Sequence, residues 1–132
     1  VVSVKLKYLD QWTKARQKNA ENYRELFKHA GLEDMVELPL EKENRHIYNQ
    51  FVIMVPNRRD ELRTHLAKAG IGTEVYYPVG LHQQACFTDH FSSPPMKHTE
   101  KAARETLALP IYPGLTPDMQ EYVVKSLAEF YR

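Results

Sequence analysis

The densest collection of hydrogen-bonding side chains in the chain lies in "GIGTEVYYPVGLHQQACF", residues 70–87. Tyr76 and Tyr77 close a strand-like run that Pro78 stops. A loop follows with His82, Gln83, Gln84 and the single cysteine, Cys86. Neighbouring residues of a strand point to opposite faces, so one tyrosine packs while the other reaches a cleft. A phenol and an imidazole this close in sequence suit a hydroxyl-rich or phosphate-bearing ligand, and His82 also suits proton transfer. The same residues equally suit a bland arrangement, with both tyrosines at the core edge and His82 capping a turn. Asn49 and Gln50 pose a similar question, because polar residues inside an apolar strand need partners if buried. They pair with loop backbone or with a ligand.

Other chemistries find less support. Cys86 near His82 could form a base-activated thiol, although a free cysteine is more commonly a small buried hydrophobe. Histidines at 29, 46, 65, 82, 90 and 98 lack any H-x-x-H or H-E-x-x-H spacing, so no metal site is expected. Gly70 and Gly72 form a lone G-x-G without the third glycine or the following helix of a phosphate loop. Arg58 and Arg59 oppose the dipole at a helix start, which suits either an external anion or a solvated face.

These residues sit in a chain of 132 residues with a formal net charge of +1. That length suits one domain with its own core. Positive and negative residues are interspersed, so no nucleic-acid partner and no anionic membrane surface is expected. One cysteine excludes an internal disulfide framework and fits a reducing, cytoplasmic compartment. No apolar run approaches the roughly 18 residues of a membrane span.

The periodicity predicts the elements that must position the loop. Val2, Leu6, Leu9, Ala20, Tyr23, Phe27 and Ala30 mark one apolar stripe on a helix over residues 1–30, ended by Gly31. Helical pattern from the first residues, with no cap before Val1, predicts a chain cut from a longer protein. "MVEL" reads as a short strand ended by Pro39. "HIYNQFVIMVP" reads as a central strand, with Phe51, Ile53 and Val55 on one face. Asn57 is the expected cap of the helix "RRDELRTHLAKA". "TEVYY" reads as a strand, "TDHFSSPP" as an irregular loop, "KHTEKAARETLA" as a helix, and "LALPIYPGL" as a strand running into turns. A final helix starts from Thr116 with Pro117 at its first position and turns Met119, Val123, Leu127 and Phe130 inward. The order predicts an α/β fold, a short sheet packed with helices.

Three stretches then carry a resemblance: "KLKYLDQWTKARQKNAENYRELF", "HIYNQFVIMVPNRRDELRTHLAKAGIGTEVYYPVGLHQQACF" and "AARETLALPIYPGLTPDMQEYVVKSLAEFY". In order and spacing the chain resembles the C-terminal part of DegT/DnrJ/StrS-type nucleotide-sugar aminotransferases. The resemblance is sharpest at "GIGTEVYYPVGLHQQ" and "ETLALPIYPGLT". It implies the small C-terminal domain of the aspartate-aminotransferase-like fold over residues 1–132, with 1–30 as the interdomain helix. It also implies dependence on pyridoxal phosphate, bound mainly by a large domain that holds the Schiff-base lysine. No lysine of this chain is nominated for that role, and no catalytic or cofactor-binding residue is assigned here.

By the same resemblance Tyr76, Tyr77 and His82 lie close to a sugar nucleotide, with Asn49 a further substrate-binding candidate. The implied reaction moves an amino group, typically from glutamate, to a nucleotide-linked keto-sugar on the way to a deoxyamino sugar, in a homodimer. Relatives with histidine in place of the lysine perform dehydration, and a non-catalytic binding domain is the remaining alternative. The fragment alone is expected to be inactive. Gly80 and Ala85 stand where proline is commoner, and the Leu-Gly usual after Phe87 is missing.

Overall fold

The computed structural model describes residues 2–43, 45–88 and 94–132. The expected loop over 88–95 falls largely outside the described residues, as does His90.

The long first helix is in fact two. Helix α1 spans Val2–Leu6 and α2 spans Leu9–His29, separated by a turn in which the Tyr8 N–H donates to Lys5 O. The break divides the apolar stripe. Ala20, Tyr23 and Phe27 are fully enclosed, whereas Val2, Leu6 and Leu9 are exposed, as is Ala30. Gly31, at φ +67°, ends α2 in a Schellman motif: its N–H reaches Lys28 O, and Leu32 N–H reaches Phe27 O at 3.1 Å.

Strand β1, Phe51–Met54, pairs antiparallel with β2, Thr106–Leu109, in the register Phe51↔Leu109 to Met54↔Thr106. The two expected flanking strands shrink to single bridges. Glu37 bridges Met54 on one side and Glu74 bridges Ala108 on the other, so β1 is still flanked on both sides. Its alternation is as expected. Phe51, Ile53 and Val55 are fully buried with Leu107 and Leu109 of the partner strand, while Val52 is only half-buried. Helix α5, Lys97–Glu105, ends where β2 begins, three residues earlier than the pattern predicts. Pairing of Thr106 with Met54 claims the backbone groups that a longer helix would need.

Helix α3, Arg59–Lys68, starts without a side-chain cap. Asn57 instead adopts φ +61° before it, a left-handed conformation that asparagine tolerates better than most residues. Helix α6, Pro117–Tyr131, starts as expected, with Thr116 Oγ1 accepting from Met119 N–H at 3.3 Å. Val123 and Leu127 face inward, but Met119 is half exposed and the inner face takes Gln120, Val124 and Ser126 instead. Short helices also form at Leu81–Gln83, a 3-10 turn, and at α4, Ala85–Thr88.

The core lies between one sheet face and helices α2, α3 and α6, with Tyr23 against Phe51 at 5.0 Å between ring centroids. Several buried polar groups are paired within it, although the buried Tyr131 hydroxyl has no partner. Gln120 donates to Asn19 O at 2.7 Å and accepts from Asn22, while Asn19 and Tyr23 donate to Tyr112 O and Pro110 O. This network ties the segment after β2 onto α2. The opposite sheet face is left for the loop and α5.

Candidate functional site

That second face carries two adjoining cavities. The first, about 420 Å³, has Val52, Thr106 and Ala108 of the sheet as its floor and Thr99, Ala102 and Ala103 of α5 as a wall. Tyr76, Tyr77, Val79 and Gly80 form the remaining side. The second, about 370 Å³, lies between Asn49, Gly72, Thr73 and the segment from Leu109 to Tyr112. Both are lined by Gln50, Glu74, Tyr76 and Ala108, so they form one groove divided at Tyr76.

Tyr76, Tyr77 and Asn49 therefore come together at this groove, and all three are exposed. Residues 75–80 are not a strand, so the two tyrosines are not held to opposite faces, and Tyr77 is 75% exposed. Asn49 and Gln50 precede β1 rather than lying within it, which removes the requirement that they be buried and paired.

His82 is placed differently. It sits in the 3-10 turn Leu81–Gln83 with only 12% of its side chain exposed, and it is not among the groove-lining residues. Its Nε2 lies 3.2 Å from Glu100 Oε1, an oxygen that also accepts the Met96 N–H at 3.0 Å. The imidazole bond first, then the Met96 N–H, holds the Glu100 carboxyl below the usual carboxylate range. His82 Nδ1 is buried without a hydrogen-bond partner. The turn itself is closed by Gln83 N–H to Gly80 O at 2.9 Å and by Gly80 N–H to Gln83 Oε1 at 3.3 Å.

Cys86 is exposed, with Sγ 3.9 Å from Gln84 Oε1, while the imidazole is engaged by Glu100. Among the described residues no base is placed against the thiol. Among the described residues no three metal-ligating side chains converge. His46 and His65 serve the backbone, His46 Nδ1 accepting Tyr48 N–H and His65 Nε2 lying 3.0 Å from Ser126 O. The paired arginines are spent inside the fold. Arg58 stacks over Phe130 at 4.1 Å and bonds Glu61, and Arg59 donates to Ala103 O and Thr106 O.

Sequence reasoning missed several lining residues whose spacing was readable. Glu74 and Tyr76 are two apart on extended chain, so they share a side. Thr99, Ala102 and Ala103 follow the three-and-four spacing of one helix face. Glu100 carried no signal, because its partner is eighteen residues away and only the fold joins them.

A family model described as the DegT/DnrJ/EryC1/StrS aminotransferase family matches residues 1–128. The chain belongs to that family. It is 42% identical over its whole length to a pleiotropic regulatory protein of Geobacillus stearothermophilus, of which it covers 36%. It is 32% identical over 98% of its length to dTDP-3-amino-3,4,6-trideoxy-alpha-D-glucose transaminase of Streptomyces venezuelae, covering 34% of that enzyme. The solved structure of S. venezuelae DesV in complex with a ketimine intermediate superposes with a TM-score of 0.85 at 31% identity, over 98% of this chain and 34% of that one. The DegT/DnrJ/EryC1/StrS chain described here thus spans about a third of the length of the relatives it matches, and its fold is that of pyridoxal-phosphate aminotransferases. No helix among the described residues is long and apolar enough to cross a membrane.

Proposed function

We propose that the chain is the substrate-orienting small domain of a pyridoxal-phosphate-dependent aminotransferase. The intact enzyme would pass an amino group, with glutamate as donor, to a nucleotide-linked keto-sugar. The observation that carries this reading is the groove on the outer sheet face, where Tyr76, Tyr77, Asn49 and Gln50 converge in a chain of this family. Hydroxyl and amide groups and the Glu74 carboxylate around an apolar floor suit a polyhydroxylated ligand held by directional hydrogen bonds.

The groove does not suit the cofactor. Among the described residues no lysine or arginine lines either cavity, so neither an amine for an imine nor a cation for a phosphate is offered by them. When bound, pyridoxal phosphate supplies the electron sink for amino transfer, and on this reading the rest of the full-length protein holds it, as a homodimer in the cytoplasm. The share left to this chain is orientation, which is a large part of the rate of a two-substrate reaction.

The test is kinetic, in the full-length protein. Tyr76→Phe and Tyr77→Phe each remove one hydroxyl and are expected to raise KM for the nucleotide-sugar about three- to tenfold. The half-reaction with glutamate should be unchanged. Slowed glutamate half-reactions with an unaltered sugar KM would overturn the assignment. A second reading, a domain serving regulation, draws on the name of the Geobacillus relative; an intact protein without turnover on any nucleotide-linked keto-sugar would favour it.

A further inference from the structure

We infer that Glu100 is a positioning residue for the groove, acting through His82 and the loop 79–83 rather than on a substrate. The inference rests on the aminotransferase reading only for the identity of the ligand whose binding it serves.

Three observations converge. One carboxylate oxygen takes two donors, His82 Nε2–H at 3.2 Å and Met96 N–H at 3.0 Å, so the same atom starts α5 and holds the loop. The other ring nitrogen, Nδ1, is buried and unpartnered, so the ring is fixed from one end only. The slot that admits the ring exists because residue 80 has no Cβ. A Cβ there would lie 2.7 Å from His82 Cε1, 2.8 Å from Nδ1 and 3.0 Å from Thr99 Cγ2. Gly80 has φ −64°, a value that proline adopts readily, so the glycine provides space and not backbone freedom.

Val79, Gly80 and Thr99 are also walls of the larger cavity. The latch therefore sets the distance between the loop and α5, and with it the width of the groove. His82 serves from behind the wall, and Glu100 is the anchor.

The test uses the full-length protein with two readouts. Hydrogen exchange of the peptide covering 79–84 should speed up about tenfold in Glu100→Ala, as expected on losing a charge-assisted bond, and by less in Glu100→Gln, whose amide oxygen still accepts. In steady state, Glu100→Ala should raise KM for the nucleotide-sugar about tenfold and leave KM for glutamate unchanged. The double variant Glu100→Ala/His82→Ala should be no worse than either single variant, because the two residues act as one unit. Gly80→Ala should behave like Glu100→Ala, and His82→Ala should make Gly80→Ala harmless. Unchanged exchange in Glu100→Ala overturns the latch. Additive losses in the double variant, or a sugar KM moved by His82→Ala but not by Glu100→Ala, overturn the positioning role and place His82 on the substrate. A wild-type protein that aminates no keto-sugar, with exchange still accelerated in Glu100→Ala, overturns the functional reading and leaves the latch standing.

Discussion

At the scale of single residues, the environment decides the role more than the side-chain type does. The Tyr23 hydroxyl is held well above the ordinary tyrosine value, by burial first and by Tyr112 second, so it stays a donor to Pro110 O through alkaline pH. Glu100 moves the other way. Its folded-state value lies below the ordinary 4.5, with His82 the largest cause and Arg104 the smallest. A group depressed on folding contributes its stability in full above the unfolded value and loses it as pH falls through the folded value. Wild type should therefore melt above Glu100→Gln at neutral pH, and the gap should close below about pH 4.5 as the carboxylate is neutralised. Melting curves of both proteins between pH 3 and 7 would check this, and a gap that widened in acid would contradict it.

At the scale of elements, what mattered was how each helix or strand stops. Gly70 ends α3 at φ +74°, its N–H on Ala67 O and Ile71 N–H on Leu66 O at 2.9 Å. This turn sends the chain back toward the sheet, where Glu74 bridges Ala108. A Cβ at residue 70 would meet nothing within 4 Å, so substitution there costs conformation alone. Gly70→Ala should destabilise by about 1–2 kcal/mol, the penalty for a left-handed L-residue, and Gly70→Asn by less. Urea unfolding would measure both. A neutral Gly70→Ala would mean that the turn relaxes to another conformation.

At the scale of the whole molecule, the two sheet faces divide the work. One seals a core of Tyr23, Phe27, Phe51, Ile53 and Leu127, and the other is left half-covered as the groove. On the proposed reading the chain supplies no amine for the cofactor. Mixed with stoichiometric pyridoxal phosphate, it should show no yellow imine absorbance that survives gel filtration. A stable one-to-one adduct would place an attachment lysine in this chain and overturn that division.

Much of this was legible in the residues. Alternation over Phe51–Val55 gave the buried face of β1, because a strand with period two has only two ways to face. Thr116–Pro117 marked the start of α6, and the motifs "GIGTEVYYPVGLHQQ" and "ETLALPIYPGLT" carried the family. Local patterns are readable where a residue's role depends on its near neighbours.

One failure was local and the others were long-range. Asn57 has the right type for a helix cap but takes a left-handed φ instead. Val2, Leu6, Leu9, Ala20, Tyr23 and Phe27 read as one stripe in sequence, yet only Ala20, Tyr23 and Phe27 meet the core and the first three stay exposed. The sequence by itself determined the order and type of most elements, the family, and the placing of Tyr76 and Tyr77 beside a bend. Only the tertiary structure decided that His82 turns into the wall on Glu100, and that α5 and the sheet enclose the space in front of the tyrosines. Those outcomes depend on groups brought together across eighteen to more than fifty positions, and such pairings leave no periodic trace in the chain.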